Sequence, residues 1–200
     1  MKRLSYLVAL CAIVLGALVI VAACGGDEKQ PPAEETPAEE TPQARPTPDP
    51  NVPFLEYQSP GAGYSISYPE GWEVTPQGSL GDRFTWFSPD RAPLAELIVS
   101  CYKGENQTAD GLLLQDAAAI SGIGSGQIDP AQAVPIEVAG IAGKQVTYTT
   151  TIAGFVIEHV AAYAVQGECG WRLGLSTYGQ ATLDDYLPLF QQMVESFQPD

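Results

Sequence analysis

The residues able to do chemistry are few in this chain, and their spacing separates them. Four cysteines and one histidine are present among 200 residues. Cys24 has the most informative surroundings. Val21-Ala22-Ala23-Cys24 places an aliphatic residue and two small ones directly before the thiol, which is the pattern of a bacterial lipobox. In that chemistry diacylglycerol alkylates the Cys24 thiol. A peptidase then cuts between Ala23 and Cys24, where small side chains let the bond enter its site, and the freed amino group takes a further acyl chain. Two or three chains, at about 0.8 kcal/mol per buried methylene, make a lasting anchor. Upstream, Lys2 and Arg3 precede an apolar run from Leu4 to Ala23, the layout of an export signal. An uncleaved spanning helix is the alternative, since about 20 apolar residues suffice to cross a bilayer. Both readings put the residues after 24 outside the cytoplasmic membrane.

Loss of the signal removes Cys11, and Cys24 carries lipid, so Cys101 and Cys169 remain. An even pair in an oxidising compartment, each in a strand-like segment, predicts a disulfide. The pair lacks neighbouring histidines and Cys-x-x-Cys spacing, so it predicts neither a metal site nor redox catalysis. His159 lies in Phe155-Val156-Ile157-Glu158-His159-Val160-Ala161-Ala162-Tyr163, projecting with Phe155, Ile157, Ala161 and Tyr163. That pattern predicts a hydrogen-bonded core or sheet-edge histidine. A His-dependent relay or His-based zinc site would rest on this one residue. No Gly-x-Ser-x-Gly elbow occurs. Gly122-Ile123-Gly124-Ser125-Gly126 follows a helix instead of opening one, so it predicts a terminator and not a phosphate loop. Asp184-Asp185 and Asp82/Asp90 are acidic pairs without EF-hand spacing; the first reads as a helix cap. Trp72, Trp86 and Trp171 read as core, or else as an aromatic ligand cluster. These residues predict no catalytic site, metal or cofactor, and hence not an enzyme.

The segments that carry these residues fall into three stretches. Residues 1–23 are the signal and 24–53 a Pro/Glu/Thr-rich spacer with the near-repeat Glu34-Glu35-Thr36-Pro37 and Glu39-Glu40-Thr41-Pro42. Such a stretch buries too little apolar surface to fold, and at polyproline dimensions reaches roughly 90 Å. Residues 54–200 are one domain. From residue 51 onward 17 acids face 5 bases, so the domain carries about −12 and the cleaved chain about −17, against −15 for the full sequence. This sign excludes nucleic acid as a partner.

Within the domain, alternation predicts strands at Gly63–Tyr68, from Trp72, at Arg83–Phe87 and at Ala95–Tyr102. Thr108 and Asp110 are cap candidates for a helix through Ile120. Ile136–Val138 predicts a short strand, 140–143 a turn, and Lys144–Thr151, Phe155–Val165 and Trp171–Thr177 an antiparallel meander. A closing helix starts near Asp184, with Pro188 in its first turn and a stripe of Leu187, Phe190, Met193, Val194 and Phe197. The class is α+β, an antiparallel sheet flanked by helices.

Gly63-Tyr64-Ser65-Ile66-Ser67-Tyr68-Pro69-Glu70-Gly71-Trp72 resembles the opening of PsbP-like domains. Val138-Ala139-Gly140-Ile141-Ala142-Gly143 resembles their middle, and Tyr186-Leu187-Pro188-Leu189-Phe190 with Glu195-Ser196-Phe197 their closing helix. The resemblance covers about residues 54–198 and implies an α/β/α sandwich. It also implies a non-enzymatic accessory or binding role, the commonest among members, while many bacterial members are lipoproteins of unknown role. Photosynthetic relatives support a metal cluster, but no ligand residue carries over. The combined expectation is a lipid-anchored extracytoplasmic domain that binds an envelope protein. A small-ligand or lipid-binding lipoprotein is the alternative, and a carboxylate-dependent hydrolase a third.

Overall fold

The computed structural model describes residues 47–200; the signal, Ala23, Cys24 and most of the spacer lie outside the described residues. Alternating and apolar segments form ten strands: β1 Phe54–Gln58, β2 Tyr64–Pro69, β3 Glu73–Pro76, β4 Gly81–Phe87, β5 Pro93–Lys103, β6 Val134–Val138, β7 Ile141–Ile152, β8 Phe155–Gln166, β9 Cys169–Thr177 and β10 Gln198–Pro199. Helix α1 is Ala109–Gly122 and α2 is Leu183–Ser196. A seven-stranded antiparallel sheet has the order β3-β4-β5-β9-β8-β7-β6, and a small one the order β1-β2-β10. Helix α1 packs on one face of the large sheet, over β7, β8 and β9. Helix α2 covers the other face, with the small sheet beside it. The fold is therefore the α+β sandwich expected.

The large sheet has two ends. Lys103, Cys169 and Gly81 lie at the disulfide end, and Phe87, Pro93, Thr177, Phe155 and Ile152 at the hairpin end. β8 is buried on both faces from Val160 to Ala164. Val160, Ala162 and Ala164 join the core under α2, while Ala161 and Tyr163 join the core under α1. A central strand covered by helices on both sides loses the apolar–polar alternation of a half-buried one. Phe155 leaves the predicted apolar face because β8 begins beyond the edge of that core, and it is exposed.

Four further expectations change. Residues 140–143 are not all turn: Ala139 and Gly140 make the turn, with φ of 52° and 77°, and β7 already begins at Ile141. Two positive φ values are what a two-residue I′ hairpin needs. Thr108 alone caps α1, its Oγ1 accepting from Gly111 N at 3.0 Å, and Asp110 sits in the first turn. Pro188 stands inside α2, beyond its first turn, because the helix starts at Leu183. The buried stripe of α2 is Leu183, Tyr186, Leu189, Phe190, Met193 and Val194, with Leu187 only half-buried. Each fully buried large side chain there contributes about 1.5–3 kcal/mol. Strand β1, unassigned from the sequence, pairs Phe54 with Pro69 and Gln58 with Ser65. The turn before it is tied in as well, since Glu70 N donates to Pro53 O at 2.7 Å and Val52 packs on the core.

Gly81 opens β4 with φ 128° and ψ −153°, and a Cβ there would stand 1.8 Å from the backbone oxygen of Val99. Backbone meets backbone, so no side-chain rotation relieves the clash. Gly81→Ala is expected to cost more than about 3 kcal/mol in urea unfolding. A loss under 1 kcal/mol would mean that the β4–β5 register yields there.

Candidate functional site

Under α1 the large sheet carries a polar network that starts at Arg172 of β9. Arg172 Nε donates to Asp116 Oδ2 of α1 at 2.5 Å, and Nη2 donates to Tyr148 OH at 3.1 Å. Tyr163 OH donates to the same Asp116 oxygen at 2.9 Å. Burial opposes the Arg172 charge, but Asp116 and the surrounding tyrosines outweigh it, and its pKa rises. Burial, then Asp116, pushes the Tyr163 phenol up. Two rows along the same face, His159 Nε2 lies 2.8 Å from Thr150 Oγ1 and Nδ1 lies 2.8 Å from Ser176 Oγ, with the ring stacked on Tyr148. His159 stands in β8, between β7 and β9, so it is a half-buried histidine of an interior strand and not a sheet-edge one. Burial, then the nearby Arg172 cation, lowers its pKa to about 4. A neutral imidazole donates through one nitrogen and accepts through the other, so the Thr150 and Ser176 hydroxyls satisfy both.

That pKa fixes a pH dependence. The unfolded chain's His159 takes a proton near its ordinary pKa of 6.5, whereas the folded one waits until about pH 4. The contribution is complete above 6.5 and shrinks as pH falls toward 4, by at most about 3 kcal/mol. The stability advantage of wild type over His159→Gln is expected to be larger at pH 7.5 than at pH 4.5 in urea titrations. An advantage that is the same at both pH values would contradict the buried neutral ring.

Beyond α1, which packs over β7, β8 and β9, the same sheet face continues across β5, β4 and β3. Register places Thr85, Glu96 and Ser176 in one row, Arg83, Ile98 and Gly174 in the next, and Ser100 beside Arg172 in the third. Tyr102 stands exposed at the disulfide end of this face. Arg83 Nη1 pairs with Glu96 Oε2 at 3.3 Å, while Arg83 Nε is buried with no partner. Such a pair of charges with an aliphatic and an aromatic neighbour offers hydrogen bonds, apolar contact and a flat surface. These are the ingredients of a protein-binding face.

A second concavity lies at the β7 edge by the hairpin end. It encloses about 430 Å³ between Gln127, Asp129, Thr149, Glu158, Leu183 and Asp184. Its carboxylates are partly committed. Glu158 Oε2 accepts from Leu183 N at 2.8 Å, capping α2 from the sheet, and Asp129 Oδ1 accepts from Ala131 N at 3.0 Å.

Neither a family model nor a curated protein matches the chain. Solved structures do. Cyanobacterial PsbP from Synechocystis matches at TM-score 0.54 and 18% identity, over 74% of this chain and 92% of its own. The Ran-binding protein Mog1p of Saccharomyces cerevisiae matches at 0.54 and 9%, over 74% of this chain and 96% of its own. This is the PsbP-like fold. A Bacteroides thetaiotaomicron structure also matches, at 0.47 and 14%, and the chain spans about half that protein's length. In the PsbP-like domain, the motif residues of the sequence have packing roles: Tyr64, Trp72, Tyr186 and Phe197 are all core.

The remaining predicted residues are placed as follows. Cys101 and Cys169 are joined by a disulfide across β5 and β9, with Cα atoms 5.4 Å apart. Asp184 and Asp185 lie in the first turn of α2, where carboxylates suit the helix dipole. Asp82 and Asp90 form no pair. Asp82 is fully buried at the disulfide end, accepting from Tyr64 OH at 2.6 Å and Tyr57 OH at 3.1 Å, and Asp90 is exposed in the turn after β4. Burial, then Asp82, raises the Tyr57 phenol to about 12. Trp72 and Trp171 are buried in the core, and Trp86 packs against it partly buried. Among the described residues, no three His, Cys, Asp or Glu side chains cluster as metal ligands do. No described helix is long and apolar enough to cross a membrane. Arg172, Asp116, Arg83 and Glu96 were not singled out in the sequence. The available signal was Arg172 alone, a cation inside the apolar strand Trp171-Arg172-Leu173.

Proposed function

We propose that this is a lipid-anchored, extracytoplasmic and non-catalytic domain that binds an envelope protein through the uncovered face of β3, β4 and β5. The anchor reading rests on Val21-Ala22-Ala23-Cys24 and the apolar segment before it. The binding reading rests on one observation above all: half of one sheet face lies beyond α1 and presents Arg83, Glu96, Ile98 and Tyr102 to solvent, at least in part. The titratable groups beneath α1 are, by contrast, engaged with one another or with neighbouring hydroxyls. Mog1p, with the same fold, is a Ran-binding protein, so the fold is compatible with a protein partner.

Cross-linking and affinity capture from membranes test this. The intact chain is expected to enrich a protein over a charge-matched control domain. Tyr102→Ala, at an exposed position, should lower that enrichment several-fold, with urea unfolding showing that the fold is kept. Cys24→Ser should move the chain from the membrane fraction to the soluble one. Enrichment untouched by the surface variant would place the interface elsewhere. A second reading, a small polar or cationic ligand in the cleft by Glu158 and Asp184, is favoured only by the cleft's volume of about 430 Å³. Titration with calcium chloride, read by the unfolding midpoint, tests it, and an unmoved midpoint removes it.

A further inference from the structure

The β7–β8 hairpin ends in Ile152-Ala153-Gly154-Phe155-Val156, with Ala153 and Gly154 at φ 51° and 85° in a tight two-residue turn. Its large side chains are bare: Phe155 is 72% exposed, Val156 62% and Ile152 55%. Ile123, 71% exposed, stands beside them, because Ser125 O accepts from Thr151 N and Gly126 bridges to Thr150. No charged residue stands between Lys144 and Glu158. A rigid hairpin presenting adjacent aromatic and aliphatic side chains without charge is unusual on a domain that carries about −12.

The point where the described chain enters the domain gives this tip an occupant. Phe54 pairs with Pro69, and Gly71 just after it approaches the ring of Trp86, next to Phe87. The chain coming from Cys24 therefore joins the domain at the hairpin end of the sheet. From Cys24 to Pro53 no apolar periodicity and eight prolines intervene, a span that at polyproline dimensions reaches roughly 90 Å. The described chain thus enters the domain at the same end of the sheet that carries the apolar tip, and the spacer is long enough for that end to reach the bilayer.

We propose that this tip docks into the lipid–water interface of the bilayer that holds Cys24. The inference rests on the anchor reading above. Phe155, Val156, Ile152 and Ile123 would enter the headgroup–acyl boundary. Backbone groups of the hairpin ladder already pair across β7 and β8, so little polar surface is stripped of water. The acidic remainder of the domain is repelled by anionic headgroups, which limits docking to the tip and favours zwitterionic lipid. Docking would hold the domain upright on the membrane and leave the open face of β3–β5 pointing sideways.

The acylated chain, reconstituted in phosphatidylcholine vesicles, tests this with Val156→Cys carrying an environment-sensitive fluorophore. Cys101 and Cys169 are paired and Cys24 is acylated, which leaves position 156 as the free thiol. The expected result is a blue-shifted emission at 156 that spin-labelled lipid quenches, and neither effect for a label at the exposed Glu105→Cys beyond β5. Phe155→Ser in the labelled chain should lower the docked-to-undocked ratio about tenfold or more, the worth of one buried aromatic side chain. Replacing part of the phosphatidylcholine by phosphatidylglycerol should lower it too. A chain that co-floats with the vesicles while its label stays in water overturns the docking and leaves the anchor standing. A chain that does not co-float overturns the anchor, and the docking with it. A shift that grows with protein density and is insensitive to quencher in the lipid assigns the tip to a second copy of the chain, which also overturns the proposal.

Discussion

Replacing Cys101 and Cys169 together by serine is expected to lower the unfolding free energy by about 4 kcal/mol and Tm by about 10 °C. The bond closes a loop of 68 residues that contains α1, β6, β7 and β8. In the unfolded chain this constraint removes a large share of the conformations otherwise open to that loop. The folded state loses little with the bond, because β5 and β9 remain paired from Ala95–Thr177 to Lys103–Cys169. The variant should therefore reach the same fold with an unchanged pattern of strand amide protection. Urea unfolding with and without reductant measures the effect. Wild type in reductant should match the double variant in oxidant. If wild type were insensitive to reductant under conditions that cleave the bond, the loop would not be what the disulfide constrains.

Asp116→Ala is expected to cost about 3–5 kcal/mol, the range for a buried ion pair broken from one side. Asp116 Oδ2 takes hydrogen bonds from both Arg172 Nε and Tyr163 OH, and the Asp116 and Arg172 side chains are less than one-fifth exposed. Removing the carboxylate leaves a guanidinium under α1 with only Tyr148 OH in reach, in a region already lined by Leu113, Val146 and Ala161. Removing the cation instead is gentler. Arg172→Met keeps most of the packing volume, and Asp116 still accepts from Tyr163. The double variant Asp116→Ala/Arg172→Met should therefore be more stable than Asp116→Ala alone. A double-mutant cycle in urea reads this directly, and losses that simply add would show that the two side chains are not coupled.

These two predictions differ in how far the sequence could have led to them. The disulfide was legible, because setting aside the predicted signal and lipobox leaves two cysteines, Cys101 and Cys169, in strand-like segments. The Arg172–Asp116 pair was not. The two residues stand 56 positions apart, and only the packing of α1 across β9 brings them together. Asp82 shows the same limit. In the sequence it is one acid among 24. In the fold it is a buried acceptor for two tyrosines that reach it from the small sheet.

Local rules placed most of the elements. Alternation located β2, β4 and β5, Thr108 marked the start of α1, and the meander of β7, β8 and β9 followed from three long β-rich segments. The motif residues of the PsbP-like resemblance carried the fold because they are the ones that fill its core. Rules that assume one wet face failed where both faces are covered, as in β8. They also failed where a tight turn is shorter than its glycines suggest, as at Ala139-Gly140. The short strands β1 and β10 have too little pattern of their own, and pairing with β2 defines them.

By itself, then, the sequence determined the lipobox-like pattern ending at Cys24, the acidic charge, most strand and helix segments and the cysteine pair. Each of these is written in residues that are neighbours or near-neighbours along the chain. Only the tertiary structure decided that His159 is a neutral, doubly hydrogen-bonded ring, that half of one sheet face is left open, and that an apolar hairpin lies at the end where the chain enters. Those features depend on which distant segments cover which faces, and burial and pairing across the sheet are properties of the packed molecule that no local run of residues encodes.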